Sequence, residues 1–381
     1  MMARGVRAHW LALSGVRDYV RTYRAQRRRL AALRYRLHGA VELLPVPYPR
    51  SEMGVPLLAR LVRRHVSPDR PFILHARGHD GCRLALAVRR RLPAARVIFD
   101  VRGESEAELR YEANGDDEKR VRARVERFRG LERRAVEEAD LWLCVSHAMA
   151  EHLGRLYPGL ARRAPLVVPC AASGAKFHFD EALRAETRQR LGLPADAPVL
   201  AFVGQLIRYE MPEATVALAS AARRVWPNLH LLVLTPHTEA AQRLLAAALP
   251  ARDYTVRSAA HHEINAYLNA ADVGLLLREA HLLNRVACPT KFAEYALTGL
   301  PVILTRDIGD CSAWVREHQD GIVLDQPHDL ATVTAALPGL AVHDLEARRQ
   351  RSARARRCFA REAYEETYLA AYRRLLGADR L

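Results

Sequence analysis

The hydrophobic and polar positions along the 381 residues fall into two recurring patterns. Short unbroken apolar runs, rich in Val, Ile and Leu and bounded by turn residues, predict buried strands. They lie at 6–13, 40–46, 72–76, 96–101, 141–146 and 164–169, and again at 198–204, 230–236, 254–259, 273–278, 301–306 and 321–325. Between them the apolar residues return at the spacing of one helical face, as in "GVPLLARLVRRHV", "GCRLALAVRRRL" and "GLERRAVEEAD". A last stretch, "ARRCFAREAYEETYLAAYRRLLG", predicts one amphipathic helix carrying Phe359, Tyr364, Tyr368 and Tyr372.

Strands that alternate with helices predict parallel sheets, because a parallel pair needs a crossover connection. The alternation pauses at the turn-rich "AASGAKFHFD" and then restarts, which predicts two doubly wound α/β domains. We place them at 1–178 and 179–345, with 346–381 as a C-terminal helix packing back toward the first. Ligands of such sheets bind beyond the carboxyl ends of the strands. Two sheets facing one another therefore predict a site in a central cleft.

Composition narrows the class. No apolar run reaches the roughly 20 residues that span a bilayer, and "HWLALSG" is too short for a signal-peptide core. The six cysteines are scattered without a C-x-x-C pair, which predicts a reduced cytoplasmic protein rather than a disulfide framework. With no paired acidic ligand motif either, neither a metal nor a cofactor is expected. The net charge of +16 attracts polyanions: nucleic acid, an anionic membrane face or phosphorylated substrates. Residues 1–38 alone hold ten arginines against one acid, Asp18. Over 17–38 the apolar residues fall near one helical face and Arg21, Arg24, Arg28 and Arg36 around the rest, which suits a helix packed on its own sheet. Nucleic acid is not expected as a partner, since no recognised binding motif or aromatic strand platform is present.

The stretch "NRVACPTKFAEYALTGLPVI", 284–303, carries the chemistry. Pro289 suits the first turn of a helix, where Thr290, Lys291 and Phe292 would present unpaired N–H groups. A helix N-terminus with a lysine beside it is an anion site, most naturally for phosphate. Glu294, one turn on, suits hydroxyls such as those of a ribose. Phosphate plus ribose describes a nucleotide, although an ordinary helix start with solvated Lys and Glu has the same spacing.

Together with "GDCSAWVREHQDGIVLD", this stretch resembles the nucleotide-sugar-binding half of the retaining GT-B glycosyltransferases of family four. "FVGQL" at 202–206, "INAYLNAADVGLLLRE" at 264–279, "ADLWLCVSHAM" at 139–149 and "VVPCAASGAKF" at 167–177 are similar in the same order. The resemblance covers about 70–330 and is strongest over 200–325. It implies the GT-B fold, two Rossmann-like domains, and sugar transfer from a nucleotide sugar to an acceptor hydroxyl without a metal. It further implies a diphosphate at Pro289, Thr290 and Lys291, a ribose on Glu294, and a Gly299–Pro301 step into the next strand. Gly204 and Gln205 would line the donor site. The pattern departs in places. The first of the family's two spaced glutamates falls on Val286, so Asn284 or Glu279 would hold the sugar. Its usual Arg and Lys fall on Gln205 and Glu210, which leaves Arg208 and Lys291 as the phosphate cations. Arg102 stands where a histidine is common and would face the reacting centre.

On the acceptor side we expect Ser14, Gly15, His79, Arg102 and Glu104, with His75 and His79 about the strand end at "ARGHDG". The segment 104–118 shows no clear periodicity and predicts a lid or a solvated connection. The resulting expectation is a retaining glycosyltransferase of bacterial surface glycan synthesis, acting on a glycan or lipid-linked acceptor. It would be cytoplasmic, with a peripheral position on the anionic inner face of the membrane. The alternative is a catalytically silent GT-B module that binds a partner or glycan.

Overall fold

Each apolar run expected to be a strand overlaps one in the computed structural model, which describes residues 9–14, 28, 41–45, 54–113, 117–160 and 164–377. The chain begins β1 (Trp10–Ser14), β2 (Val41–Pro45), α1 (Val55–Arg63), β3 (Phe72–Arg77), α2 (Gly78–Arg89) and β4 (Ala95–Asp100). It continues α3 (Ser105–Glu112), α4 (Glu118–Glu138), β5 (Leu141–Cys144), α5 (His147–Leu156), β6 (Leu166–Val167), α6 (Glu181–Leu191) and β7 (Val199–Val203). Next come α7 (Pro212–Ala222), β8 (His230–Leu234), α8 (Thr238–Ala246), β9 (Tyr254–Arg257), α9 (Ile264–Ala270) and β10 (Val273–Leu276). The remainder is α10 (Leu282–Arg285), α11 (Thr290–Leu297), β11 (Val302–Thr305), α12 (Cys311–His318), β12 (Gly321–Leu324), α13 (Leu330–Ala336), α14 (Leu345–Phe359) and α15 (Glu365–Leu376). Of the expected helix over 17–38, Arg28 alone lies within the described residues.

The contacts divide the chain into two units. The first holds the described residues up to Cys144, then Leu156–Leu166, then those from Glu365 on. It contains a parallel pair, β1 with β2, and a four-stranded sheet ordered β3-β4-β5-β6. Val55, Leu58, Ala59 and Val62 of α1 pack on Leu84, Val88 and Leu92 as one cluster of its core. The stretch 104–118 is not a structureless connection: Ser105–Glu112 is helical, with Glu104 accepting the Ala107 N–H as its cap and Ala107 and Leu109 buried. A good N-cap and two buried positions suffice for so short a helix.

The second unit holds Val145–Arg155 and Val167–Tyr364. Its six parallel strands run β12-β11-β10-β7-β8-β9. Both faces are covered, so neighbouring strand residues enter opposite cores: Val199 and Ala201 on one side, Leu200 and Phe202 on the other. Below the strands one buried carboxylate organises a set of arginines. Asp272 accepts from Arg184 (2.6 Å), Arg188 (3.2 Å) and the Val199 N–H (2.8 Å). The same two arginines, with Arg348 of α14, also donate to the carbonyls of Leu268, Asn269, Ala270 and Ala271 at the end of α9. These guanidiniums satisfy a helix C-terminus that would otherwise be buried without partners.

The expected single C-terminal helix is two. Around Ala360 the backbone pairs with Ala172: Ala172 N–H donates to Phe359 (3.0 Å) and Arg361 N–H to Ala172 (2.7 Å), which draws the chain out of helix. Phe359 therefore packs on Phe292 and Trp314 in the second unit, whereas Tyr372 of α15 meets His75 in the first.

Candidate functional site

In the second unit the connections run outward in both directions from the adjacent strands β7 and β10, so their carboxyl ends form the sheet's topological switch point. Tyr295 fixes α11 above this point. Its hydroxyl accepts the Val203 N–H at 3.0 Å and lies 3.3 and 3.4 Å from the carbonyls of Leu275 and Ala201. The helix then ends at Gly299, whose φ of +70° and close approach to the Arg348 carbonyl exclude a side chain. Pro289 stands before α11 and supplies no side-chain cap, and the first turn of a helix leaves N–H groups such as those of Thr290 and Lys291 without an intrahelical acceptor. Phe292 does not join them, contrary to expectation: its N–H donates to the Pro289 carbonyl at 2.9 Å.

An ion triad fills the space between. Glu210 Oε2 lies 2.6 Å from Lys291 Nζ and Glu210 Oε1 lies 3.2 Å from Arg278 Nη2, with all three side chains largely buried. Arg278, at the end of β10, also stacks its guanidinium 4.7 Å from the Tyr209 ring centroid. Burial lowers the Lys291 pKa to about 8, with Glu210 pulling it up and Arg278 pushing it down. A Cβ on Gly204 would overlap both Glu210 and Lys291, so this position must lack a side chain for the pair to form. Gln205 is exposed.

The cation that shares Glu210 with Lys291 is Arg278, which the sequence reading did not single out. Arg208 is 66 % exposed and pairs with Glu279 at 3.0 Å. Arg278 Nε is buried with no partner among the described residues, and so is Asn284 Oδ1. Asn284 is 2 % exposed, and its amide donates to the Glu279 carbonyl at 2.9 Å. Unmatched polar atoms of this kind mark places where a ligand or water completes the set. Val286 is buried, its carbonyl accepting from Ser146 at 2.7 Å. Glu294 is 7 % exposed, and burial raises its pKa against the opposing pull of His261 and Lys291. His261 Nε2 stands 3.3 Å from Glu294 Oε1. This histidine also escaped the sequence reading, because "AAHHE" shows no spacing that ties it to a helix start 30 residues on.

The structure thus brings Gly204, Asn284, Pro289, Thr290, Lys291, Glu294 and Glu279 to one end of one sheet, with Arg208 at its exposed edge. The residues expected on the acceptor side lie in the first unit. Ser14 ends β1, and Gly15 lies outside the described residues. His75 lies in β3, within the run expected as a strand, and His79 lies in α2 rather than on a loop. His79 is 6 % exposed, 2.9 Å from Glu132 and 3.0 Å from Ser105, and Tyr157 donates to the same Glu132 at 2.9 Å. This closed network is internal rather than presented at a strand end. Arg102 donates twice to the buried Asp100, at 2.8 and 3.0 Å, and His75 bridges Asp100 (3.4 Å) and Tyr372 (2.9 Å). Burial works to raise the Asp100 pKa, but His75 and Arg102 hold it below its usual value.

Residues 197–340 match the family model described as Glycosyl transferases group 1. TuaC of Bacillus subtilis (strain 168), whose name assigns it to teichuronic acid biosynthesis as a glycosyltransferase, is 28 % identical over 195 residues. The D-inositol 3-phosphate glycosyltransferase of Corynebacterium urealyticum is 26 % identical over 204 residues. These matches take in 49 % and 51 % of this chain but only 43 % and 47 % of the relatives. Among solved structures, HepE of Anabaena in complex with UDP superposes with a TM-score of 0.65 at 12 % identity, covering 90 % of this chain and 88 % of that one. Sucrose-phosphate synthase from Thermosynechococcus elongatus gives 0.61 at 19 % identity, covering 87 % and 80 %. The fold is GT-B.

Proposed function

We propose that this chain, whose residues 197–340 match the family model Glycosyl transferases group 1 and whose fold is GT-B, transfers a sugar from a nucleoside diphosphate donor to an acceptor hydroxyl with retention. The observation that carries this reading is the buried Lys291–Arg278 pair beside the open N-terminus of α11, at the switch point of the sheet. Breaking the glycosidic bond builds negative charge on the departing diphosphate. Two fixed cations and two N–H groups in a poorly hydrated site stabilise that charge without reorganising. Glu294, whose carboxylate faces the same end of α11, accepts from the ribose hydroxyls, and Asn284 or Glu279 from the sugar. The likeness to a teichuronic acid glycosyltransferase supports a bacterial surface glycan as the product class, and the +16 charge supports an acceptor held at an anionic membrane face.

A second reading, donor binding without transfer, draws on Val286, buried where a sugar-holding carboxylate was expected. One experiment separates the two. Purified protein is incubated with a panel of nucleotide sugars, thermal stabilisation and nucleoside diphosphate release are followed, and the anomeric configuration of any product is read by NMR. Stabilisation with release and a retained anomer supports the transferase. Stabilisation without release or transfer leaves donor binding alone. No response to any nucleotide sugar defeats both.

A further inference from the structure

The connection after β7 lays three consecutive side chains across the donor site. Arg208 reaches Glu279 (3.0 Å), Tyr209 lies under the Arg278 guanidinium (4.7 Å), and Glu210 inserts between Arg278 and Lys291. The Tyr209 carbonyl further accepts the Glu279 N–H at 3.1 Å, tying this turn to the end of β10. Glu210 is 6 % exposed and places one carboxylate oxygen on each cation. Two oxygens of one anionic centre, each on a different cation, is also how a phosphate group would meet this pair.

We infer that Glu210 is a built-in competitor for the donor phosphate: it occupies Lys291 and Arg278 when the site is empty, is displaced when a diphosphate binds, and returns to expel the diphosphate product. The inference rests on the donor reading above and adds a residue to it. Three physical points support it. A carboxylate left in place beside a diphosphate would repel the charge that the two cations are there to attract. Lysine and arginine buried at an empty site would be strongly unfavourable without an internal anion, and Glu210 supplies one. A diphosphate can replace that anion with a net gain, because its second phosphate reaches the open N–H groups of Thr290 and Lys291 while the first takes the cations. When the sugar has left, re-pairing of Glu210 with Lys291 and Arg278 offsets much of the cost of losing the nucleotide. Glu210 therefore speeds product release at the expense of affinity. It acts through the cations and touches no reacting atom, so it is a positioning residue.

The test is titration calorimetry of UDP, inorganic pyrophosphate and uridine against the wild-type chain and Glu210→Gln at pH 7, with circular dichroism confirming the fold of each. Removal of an internal competitor should tighten UDP and pyrophosphate about tenfold or more and leave uridine unchanged, since uridine carries no phosphate. In turnover assays the same variant should show lower KM and lower kcat together. The alkaline limb of UDP binding should also move to lower pH, because Glu210 is a group that raises the Lys291 pKa. Should Glu210→Gln not fold, Glu210→Asp, too short to span both cations, should tighten UDP in the same direction. UDP binding that is unchanged or weaker in the folded variant overturns the inference while leaving the donor reading intact. An equal change in uridine binding also overturns it, as that would mark a general distortion. Failure of both proteins to bind UDP and pyrophosphate would overturn the inference and the donor reading together.

Discussion

If Lys291 binds the donor as a cation, donor affinity must follow its protonation. Its side chain is 14 % exposed and its pKa lies at about 8 rather than the usual 10.5, because burial disfavours the charged form. At pH 7 about nine-tenths of the chains carry the charge, and at pH 9 about one-tenth. UDP affinity should therefore be nearly flat below pH 7 and fall toward about tenfold per pH unit above pH 8. Two variants calibrate the slope. Lys291→Arg keeps a charge that does not titrate in this range, so its alkaline limb should vanish. Lys291→Met should lose roughly 1.5–3 kcal/mol at pH 7 and converge with wild type near pH 9.5. Calorimetric titration across pH 6–9.5 measures all three. The same shift has a sign for stability. Between about 8 and 10.5 the unfolded chain binds a proton that the folded one does not, so the contribution of Lys291 to stability rises with pH across that window. Wild-type affinity that stays flat to pH 9.5, or an alkaline limb that persists in Lys291→Arg, would refute the assignment of Lys291 to the phosphate.

Further expectations concern other parts of the molecule. Glu294→Ala should weaken donor binding by roughly 1.5–3 kcal/mol with little loss of fold, and unchanged affinity in calorimetry would remove it from the site. Asp272→Ala should cost about 3–5 kcal/mol in urea unfolding, because it leaves Arg184 and Arg188 buried without their anion; a loss under about 1 kcal/mol would show the carbonyl contacts alone suffice. Liposome co-sedimentation at low salt should show binding that rises with anionic lipid and falls steeply with salt. Equal sedimentation with neutral and anionic vesicles would sink the membrane association.

Strand positions were legible because parallel strands buried on both faces must be continuous apolar runs, and Val199–Val203 or Val302–Thr305 can be little else. The candidate site was legible where its residues are local: Pro289, Lys291 and Glu294 share one helix start. It was not legible where the chemistry comes from distant segments. Arg278 looked like the polar end of a strand, and its partner Glu210 like a lost cation; neither sequence position reveals that the two meet. His75 and His79 followed the same rule, since their partners Asp100, Tyr372 and Glu132 come from three other elements. The break at Ala360 left no Gly or Pro in the sequence, because a pairing with Ala172 and not local propensity ends α14.

That break has a consequence for biosynthesis. The helix Glu365–Leu376 belongs to the first unit, yet the ribosome makes it after nearly all of the second. At typical elongation rates roughly 10–40 s separate the emergence of residue 166 from that of residue 365. During this interval His75 lacks the Tyr372 hydroxyl, and the part of β3 that α15 will cover stays open. The second unit, nearly continuous in sequence, can meanwhile complete its sheet. The nascent chain is thus expected to finish its C-terminal half before its N-terminal one, reversing the usual vectorial order, and a chaperone would find its client surface on β3.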